Sequence, residues 1–279
     1  MSWGSRPPDP EALGYEVHWQ PVLAGPVLRL LDRLHGAADA LLTIAGATSG
    51  QPPTLLDVGT GTGNLALAAS SRWPGASVVG LDASAAMLSV ARLRGSQRAR
   101  WLVADAAAMP LATSSVDVVA SAFVLQLVAD RRAVLEEACR VLRPGGSLGF
   151  VTWIADEVVM VADAEFDEAV YDLELDDPEP GFREPKPGDY EDLEEARAEL
   201  VSAGFADVDV RSDELRFTWS RDGYLDFKEA FDERDLYETL ADADRARLRA
   251  RVLERWERLD ADAFTLHAPL VSALARRPG

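Results

Sequence analysis

The chain has 279 residues, 48% of them hydrophobic and 27% charged, with a formal net charge of −19. That is enough apolar material for a substantial interior, in one enlarged domain or in a core with a cap. The negative balance disfavours nucleic acid and anionic membrane as partners, and a single cysteine, Cys139, excludes a disulfide within the chain.

Met1 to Pro10 are polar and proline-rich, with no apolar core of a signal peptide. No uninterrupted apolar run is long enough to span a membrane, so a soluble, cytoplasmic protein is expected. Glu11 to Gln20 reads as a short helix carrying Tyr15, His18 and Trp19. Pro26 to about Ile44 reads as a longer amphipathic helix with Val27, Leu30, Leu31, Leu34, Leu41 and Leu42 on one stripe. Of the three histidines, His18, His35 and His267, none has a second His or Cys at ligand spacing, which speaks against a metal site.

Thr54 to Val58 follows as a short apolar strand that ends in Asp57-Val58-Gly59-Thr60-Gly61-Thr62-Gly63-Asn64 and turns sharply into a helix, Asn64 to Arg72. The glycines permit positive φ and let backbone approach a ligand closely. The spacing departs from the dinucleotide fingerprint G-x-G-x-x-G, whose third glycine falls on Asn64. Asp57 at the strand end would also repel a pyrophosphate, whereas it would attract an amine or a sulfonium.

Downstream, the pattern alternates: strand Ser77 to Leu81, helix Ser84 to Arg94, strand Arg100 to Ala104, strand Val116 to Ser121, helix Arg131 to Leu142 and strand Ser147 to Trp153. This predicts an α/β fold with a parallel sheet covered on both faces, whose ligands bind at the carboxyl ends of the strands. Asp57, Asp82 and Asp105 each close one of the first three strands, along that one edge. Phe123 and Gln126 follow the fourth strand on the same edge; a Gln positions and does not deprotonate. Trp153 closes the fifth strand, as a pocket wall or as a core aromatic.

These motifs, in this order from Thr54 to about Trp153, resemble the class I S-adenosylmethionine-dependent methyltransferases, in their small-molecule and quinone-type branch. The resemblance implies a Rossmann-like, doubly wound, seven-stranded sheet with the last strand antiparallel and a helical cap. It implies S-adenosylmethionine as cofactor and S-adenosylhomocysteine as its product. Gly59, Gly61 and Gly63 would lie against the methionine part, with Asp57, Thr60 and Asn64 also at the cofactor. Asp82 would accept from the ribose hydroxyls, or else cap the next helix, with Ala83 and Met87 as apolar neighbours. Asp105 and Ala106 would meet the adenine, and Phe123 would also touch the cofactor. Tyr15 and Trp19 match an aromatic pair that closes the site, or simply anchor their helix. Arg143-Pro144-Gly145-Gly146 matches a helix stop and turn.

The rest should complete the sheet. Tyr190 to Ala203 reads as a helix stopped by Gly204, followed by a strand within Val208 to Trp219. Ala263 to Arg276 reads as the last strand, antiparallel beside the fifth, with a helix as the rival reading. The expected organisation is N-terminal helices over the cofactor site (1–50), a cofactor-binding core (51–153), an acidic insertion (154–189), a core helix and strand (190–220), a helical insertion (221–260) and the last strand (261–279). Both insertions leave the carboxyl edge and could shape an acceptor pocket.

Between Ala155 and Val210 stand twenty acidic residues against three basic ones, a net −17. They attract a cationic substrate or form a solvated surface. The proline-rich link from Asp177-Pro178 to Pro187-Gly188 is expected to shift with substrate. The function expected is methyl transfer to a small organic acceptor; a protein methyltransferase or a non-catalytic regulatory binder of the same cofactor are the alternatives. His18 and His267 are the candidate bases, with Tyr15, Trp19, Gln126 and Trp153 facing the acceptor. No feature assigns an oligomeric state.

Overall fold

The computed structural model describes residues 9–49, 52–95, 99–156, 158–175, 186 and 188–279, with backbone alone for 36–49. Residues 177–185 and 187 of the proline-rich link lie outside the described residues, as do the side chains of Leu41 and Leu42.

Residues 10–49 form one helical stretch: α1 (Pro10–Gly14), a π-helical turn (Tyr15–Trp19) and α2 (Gln20–Ser49). The expectation of two separate helices is thereby corrected, since Pro26 stands inside α2. An interior proline costs about 3 kcal/mol. Burying Val22, Leu23, Val27, Leu30, Leu31 and Leu34 outweighs it, at about 1.5–3 kcal/mol for each large side chain.

The sheet strands are β1 (Thr54–Val58), β2 (Ser77–Asp82), β3 (Arg100–Val103), β4 (Val116–Ala122), β5 (Leu142–Trp153), β6 (Ala206–Thr218) and β7 (Thr265–Arg276), in the order β3-β2-β1-β4-β5-β7-β6. β1 to β5 pair in parallel, and β7 runs antiparallel to β5 from Ser147↔Arg276 to Trp153↔Leu270. The strand reading of Ala263 to Arg276 therefore holds against its helical rival. Between the strands lie α3 (Asn64–Arg72), α4 (Ala85–Gly95), α5 (Arg131–Val141), α6 (Val161–Asp172) and α7 (Leu193–Ser202).

One turn was read too simply from sequence. Arg143 to Gly146 belongs to β5, because Gly145 N donates to Arg277 O and Arg277 N donates to Gly146 O, both at 2.9 Å. The register with β4 slips between Val116 and Val118 to admit the extra residues. Gly204, by contrast, does stop its helix. At φ 92° it forms a Schellman cap, with Phe205 N on Leu200 O and Gly204 N on Val201 O, both at 3.1 Å.

The chain divides into two compact units, one of residues 1–155, 186–213 and 269–279, the other of 156–185 and 214–268. In the first, Asp130 caps α5, whose Val134, Leu135, Ala138 and Val141 face the sheet residues Val119, Leu148 and Phe150. On the other face α2 crosses β5 so closely that a Cβ on Gly149 would stand 2.9 Å from Leu34.

The second unit adds α8 (Arg221–Phe227), a π-helical turn (Lys228–Asp232), α9 (Arg234–Thr239) and α10 (Asp242–Trp256). Its core is aromatic, with Tyr224 at 5.2–6.1 Å from Trp219, Phe227, Trp256 and Phe264. Within it Lys228 is fully buried, donating to Asp163 (2.8 Å), Asp232 (2.8 Å) and Glu233 (2.9 Å), and Tyr224 also donates to Asp163 (2.9 Å). Burial alone would lower the lysine pKa; the three carboxylates outweigh it and hold it above the ordinary value.

The acidic run is thus partly matched inside the protein. Within the first unit Arg131 pairs with Glu195 and Glu199. Within the second, Asp172 pairs with Arg251 and Arg255, which also reaches Glu165 and Glu168. Among the described residues no helix is long and apolar enough to cross a membrane.

Lys228→Met should destabilise the protein by about 3–5 kcal/mol, because Asp163 and Glu233 lose their buried counter-charge. Urea unfolding checks this; an unchanged midpoint would show that the pair contributes nothing.

Candidate active site

The strand order reverses between β1 and β4, the position where open α/β sheets bind ligands. There a cleft of about 380 Å³, open to solvent, is lined by Tyr15, Gln20, Leu23 and Val27, by Asp57, by Gly59 to Thr62 with Asn64 and Leu65, and by Ala122 and Phe123. All of these belong to the first unit.

The loop owes its shape to three left-handed glycines, at φ 69° (Gly59), 54° (Gly61) and 90° (Gly63). Two of them are also pressed from outside. A Cβ on Gly59 would lie 2.2 Å from Val124 Cγ2, and one on Gly63 would lie 2.7 Å from Trp101. At Gly61 a Cβ would meet nothing within 4 Å, so this glycine faces open space at the cleft.

Two acids lock the loop from behind. Asp57, 1% exposed, accepts with Oδ2 from Thr60 Oγ1 (2.5 Å) and from Ala66 N (2.9 Å) in the first turn of α3. Asp82 accepts from Gly61 N (2.7 Å) with one oxygen and from Ser84 N (2.8 Å) with the other. It thus ties the loop to the residue before α4, while the helix itself is capped by Ser84, whose Oγ accepts from Met87 N at 3.2 Å.

Burial pushes the Asp57 carboxyl up to about 7; the bonds from Thr60 and Ala66 pull it down and the Asp82 charge adds to the rise. The Tyr15 phenol is pushed up to about 12, first by burial and then by the charges of Asp82, Glu16 and Asp57. Tyr15 therefore remains a neutral donor facing two carboxylates. Its segment is fastened by Arg94, whose Nε meets Glu16 Oε1 at 2.9 Å and whose other nitrogen donates to Thr62 O at 3.0 Å.

Phe123 forms the β4 side of the cleft. It has the left-handed φ of 58°, which costs a non-glycine residue about 1–3 kcal/mol, and its ring lies 5.1 Å from that of Trp153. Gln126, expected to face an acceptor, donates from Nε2 to Phe123 O (2.7 Å) and accepts at Oε1 from Thr152 Oγ1 (2.5 Å).

Of the residues singled out in the sequence, Tyr15, Asp57, Gly59, Thr60, Gly61, Asn64 and Phe123 line this cleft. Asp82 touches it through Gly61. Asp105 is exposed and accepts from Ala107 N at 2.8 Å, closing its own turn; Ala106 is buried and Ala83 exposed. Trp19, Met87 and His18 are half-buried and outside the lining, and Trp153 is buried behind Phe123. His267 is exposed on the part of β7 that belongs to the second unit.

Gln20, Leu23, Val27, Thr62, Leu65 and Ala122 were missed. Leu23 and Val27 carry a readable signal, the four-residue spacing that places them on one helix face.

A seven-stranded sheet with an antiparallel last strand, a glycine turn after β1 and acids at successive strand ends defines a Rossmann-like α/β fold. This fold is shared with a crystal structure from Bacillus halodurans C-125 (TM-score 0.51, 20% identity over 86% of this chain and 98% of that one) and with the YcgJ protein of Bacillus subtilis (TM-score 0.50, 20% identity, 81% and 92%).

Residues 56–150 match the family profile described as a methyltransferase domain. Demethylmenaquinone methyltransferase of Thermus thermophilus is 45% identical over 100 residues, 35% of this chain and 46% of that protein. The ubiquinone/menaquinone biosynthesis C-methyltransferase of Acidiphilium cryptum is 46% identical over 101 residues (33% and 39%). Malonyl-acyl-carrier-protein O-methyltransferase of Xylella fastidiosa is 40% identical over 103 (35% and 34%). The chain spans less than half the length of each of these relatives. Over residues 56–150 the chain is thus similar to a methyltransferase domain, as it occurs in these quinone-modifying relatives.

Since the folded Asp57 value lies above the ordinary aspartate value of 3.8, this group lowers stability progressively as pH rises from about 4 to about 7, and fully above that. Carbon-detected NMR should show one aspartate titrating near 7, absent in Asp57→Asn. Thr60→Val, which removes a donor to the charged form, should move the midpoint higher.

Proposed function

We propose that this chain transfers a methyl group from S-adenosylmethionine to a small organic acceptor. The observation that carries the reading is the polarity of the cleft: among the residues lining it Asp57 is an acid, ionised above about pH 7, and none is Lys, Arg or His. Such a cleft suits a cationic, phosphate-free nucleoside and repels a pyrophosphate.

The chain's own groups fit that cofactor. Gly61 leaves open space where backbone can meet a ligand, and Thr62 Oγ1 is buried beside the cleft with no hydrogen-bond partner among the described residues. Asp82 has about four acceptor positions, of which Gly61 N and Ser84 N occupy two. The remaining two match a pair of ribose hydroxyls. Asp57 sets a negative charge against the sulfonium, and Tyr15 offers a neutral phenol.

Bound there, the cofactor supplies an activated methyl group, and its transfer is an in-line displacement at carbon. The protein chiefly aligns and excludes water; it need not supply a nucleophile. A base is required where the acceptor holds a proton, and His18 is the candidate within the first unit.

The relatives' names include carbon and oxygen acceptors, quinones and a malonyl thioester carrier, and these support small acceptors as a class.

Two outcomes are expected from calorimetry with S-adenosylmethionine. Binding should release protons below pH 7 and weaken by up to about tenfold per pH unit as Asp57 protonates, while levelling off above 7. Asp82→Ala should weaken binding more than about tenfold, or about 1.4 kcal/mol. No binding, or tighter binding of a pyrophosphate nucleotide, would refute the reading.

A further inference from the structure

We propose that Gln126 is a positioning residue: its side-chain amide holds Phe123 in the left-handed conformation and thereby sets the β4 wall of the cleft. This rests on the reading of that cleft as the cofactor site, and it reassigns Gln126 from the acceptor to the protein itself.

The Phe123 peptide is held on both sides. Its N–H donates to Val151 O at 2.8 Å, continuing the β4–β5 ladder past the last paired residues, Ala122↔Val151. Its carbonyl accepts from Gln126 Nε2 at 2.7 Å. The other end of the amide is anchored by Thr152, which is fully buried in β5. A φ of 58° at a phenylalanine persists only where its surroundings over-determine it. Here a ladder bond, an amide clamp and the Trp153 ring supply that determination.

Gln126 is fixed in turn from outside. A Cβ on Gly188 would stand 2.0 Å from Gln126 O, so glycine alone lets the returning chain lie against it. Gly188 O and Asp189 O accept from Arg131 at 2.9 and 3.0 Å, and the same guanidinium donates to Glu199 at 2.9 Å and lies 4.2 Å over the Tyr190 ring. Arg131 thus ties the residues behind the clamp to α7.

The chemistry of the clamp selects glutamine. One atom must donate to a carbonyl while the other accepts from a hydroxyl. A leucine does neither, and an ionised glutamate would set charge against the Phe123 carbonyl. A protonated glutamate can do both, which gives a pH signature that a packing role lacks.

The test uses S-adenosylhomocysteine as probe on the full chain. Gln126→Leu should bind it at least about tenfold more weakly, and Thr152→Val should lose less. Gln126→Glu should be impaired at pH 8, and its affinity relative to the unaltered protein should recover several-fold towards pH 5.5. In a Phe123→Gly background, where the left-handed backbone is unstrained, Gln126→Leu should have little further effect. Equal losses in both backgrounds, or no pH-dependent recovery, would overturn the proposal. If the unaltered protein does not bind the probe, the cofactor reading fails, and hydrogen exchange still decides the clamp: the Phe123 amide should lose protection in Gln126→Leu, and unchanged protection refutes it.

Discussion

Everything at the carboxyl edge depends on one backbone constraint, the left-handed turn that carries β1 into α3. Three residues must adopt φ between 54° and 90° within five positions, and two of them must do so with no room for a Cβ. Glycine satisfies both conditions but leaves the loop without side chains to hold it. Asp57 and Asp82 supply the missing restraint from underneath, each accepting from a backbone N–H next to the turn. Fixing the loop with carboxylates makes the floor negative, so loop geometry and ligand preference share one origin.

That arrangement also explains the unusual state of Asp57. A carboxylate with two good donors would ordinarily titrate low, yet burial beside a second acid prevails. The group is held near the point where a nearby positive charge decides its protonation. Tyr15, whose phenol feels the same two acids, shows that the field reaches across to the N-terminal helical stretch.

Much of the sheet was legible because its signals are local. Short apolar runs ending in an acid and glycines mark β1, whereas Leu266, Leu270 and Leu274, four apart, suit a helix as well, and pairing with β5 decides β7 as a strand. Where the reading failed, a distant partner decided. Pro26 signals a helix start in isolation, but the buried stripe around it keeps α2 continuous. Arg143 to Gly146 spells a turn, but Arg277, far along the chain, binds it as strand. At the site, Gln126 was recognised as a group that positions, while its target was invisible, because Thr152 and Phe123 meet it only through the pairing of β4 with β5. The Arg94 fastening was missed for the same reason: nothing near it in sequence announces Glu16 or Thr62.

The interleaving of acids with far-off arginines bears on how the molecule looks from a distance. Residues 155–210 form a block of excess negative charge along the chain, but in space Glu195 and Glu199 share Arg131, while Glu165, Glu168 and Asp172 share Arg255. Each such group acts at long range as a partly cancelled multipole, and its potential decays faster than that of a bare carboxylate, all the more in physiological salt. At these five acids, diffusing cations therefore meet a field already partly cancelled from within the protein, and their long-range pull is correspondingly blunted.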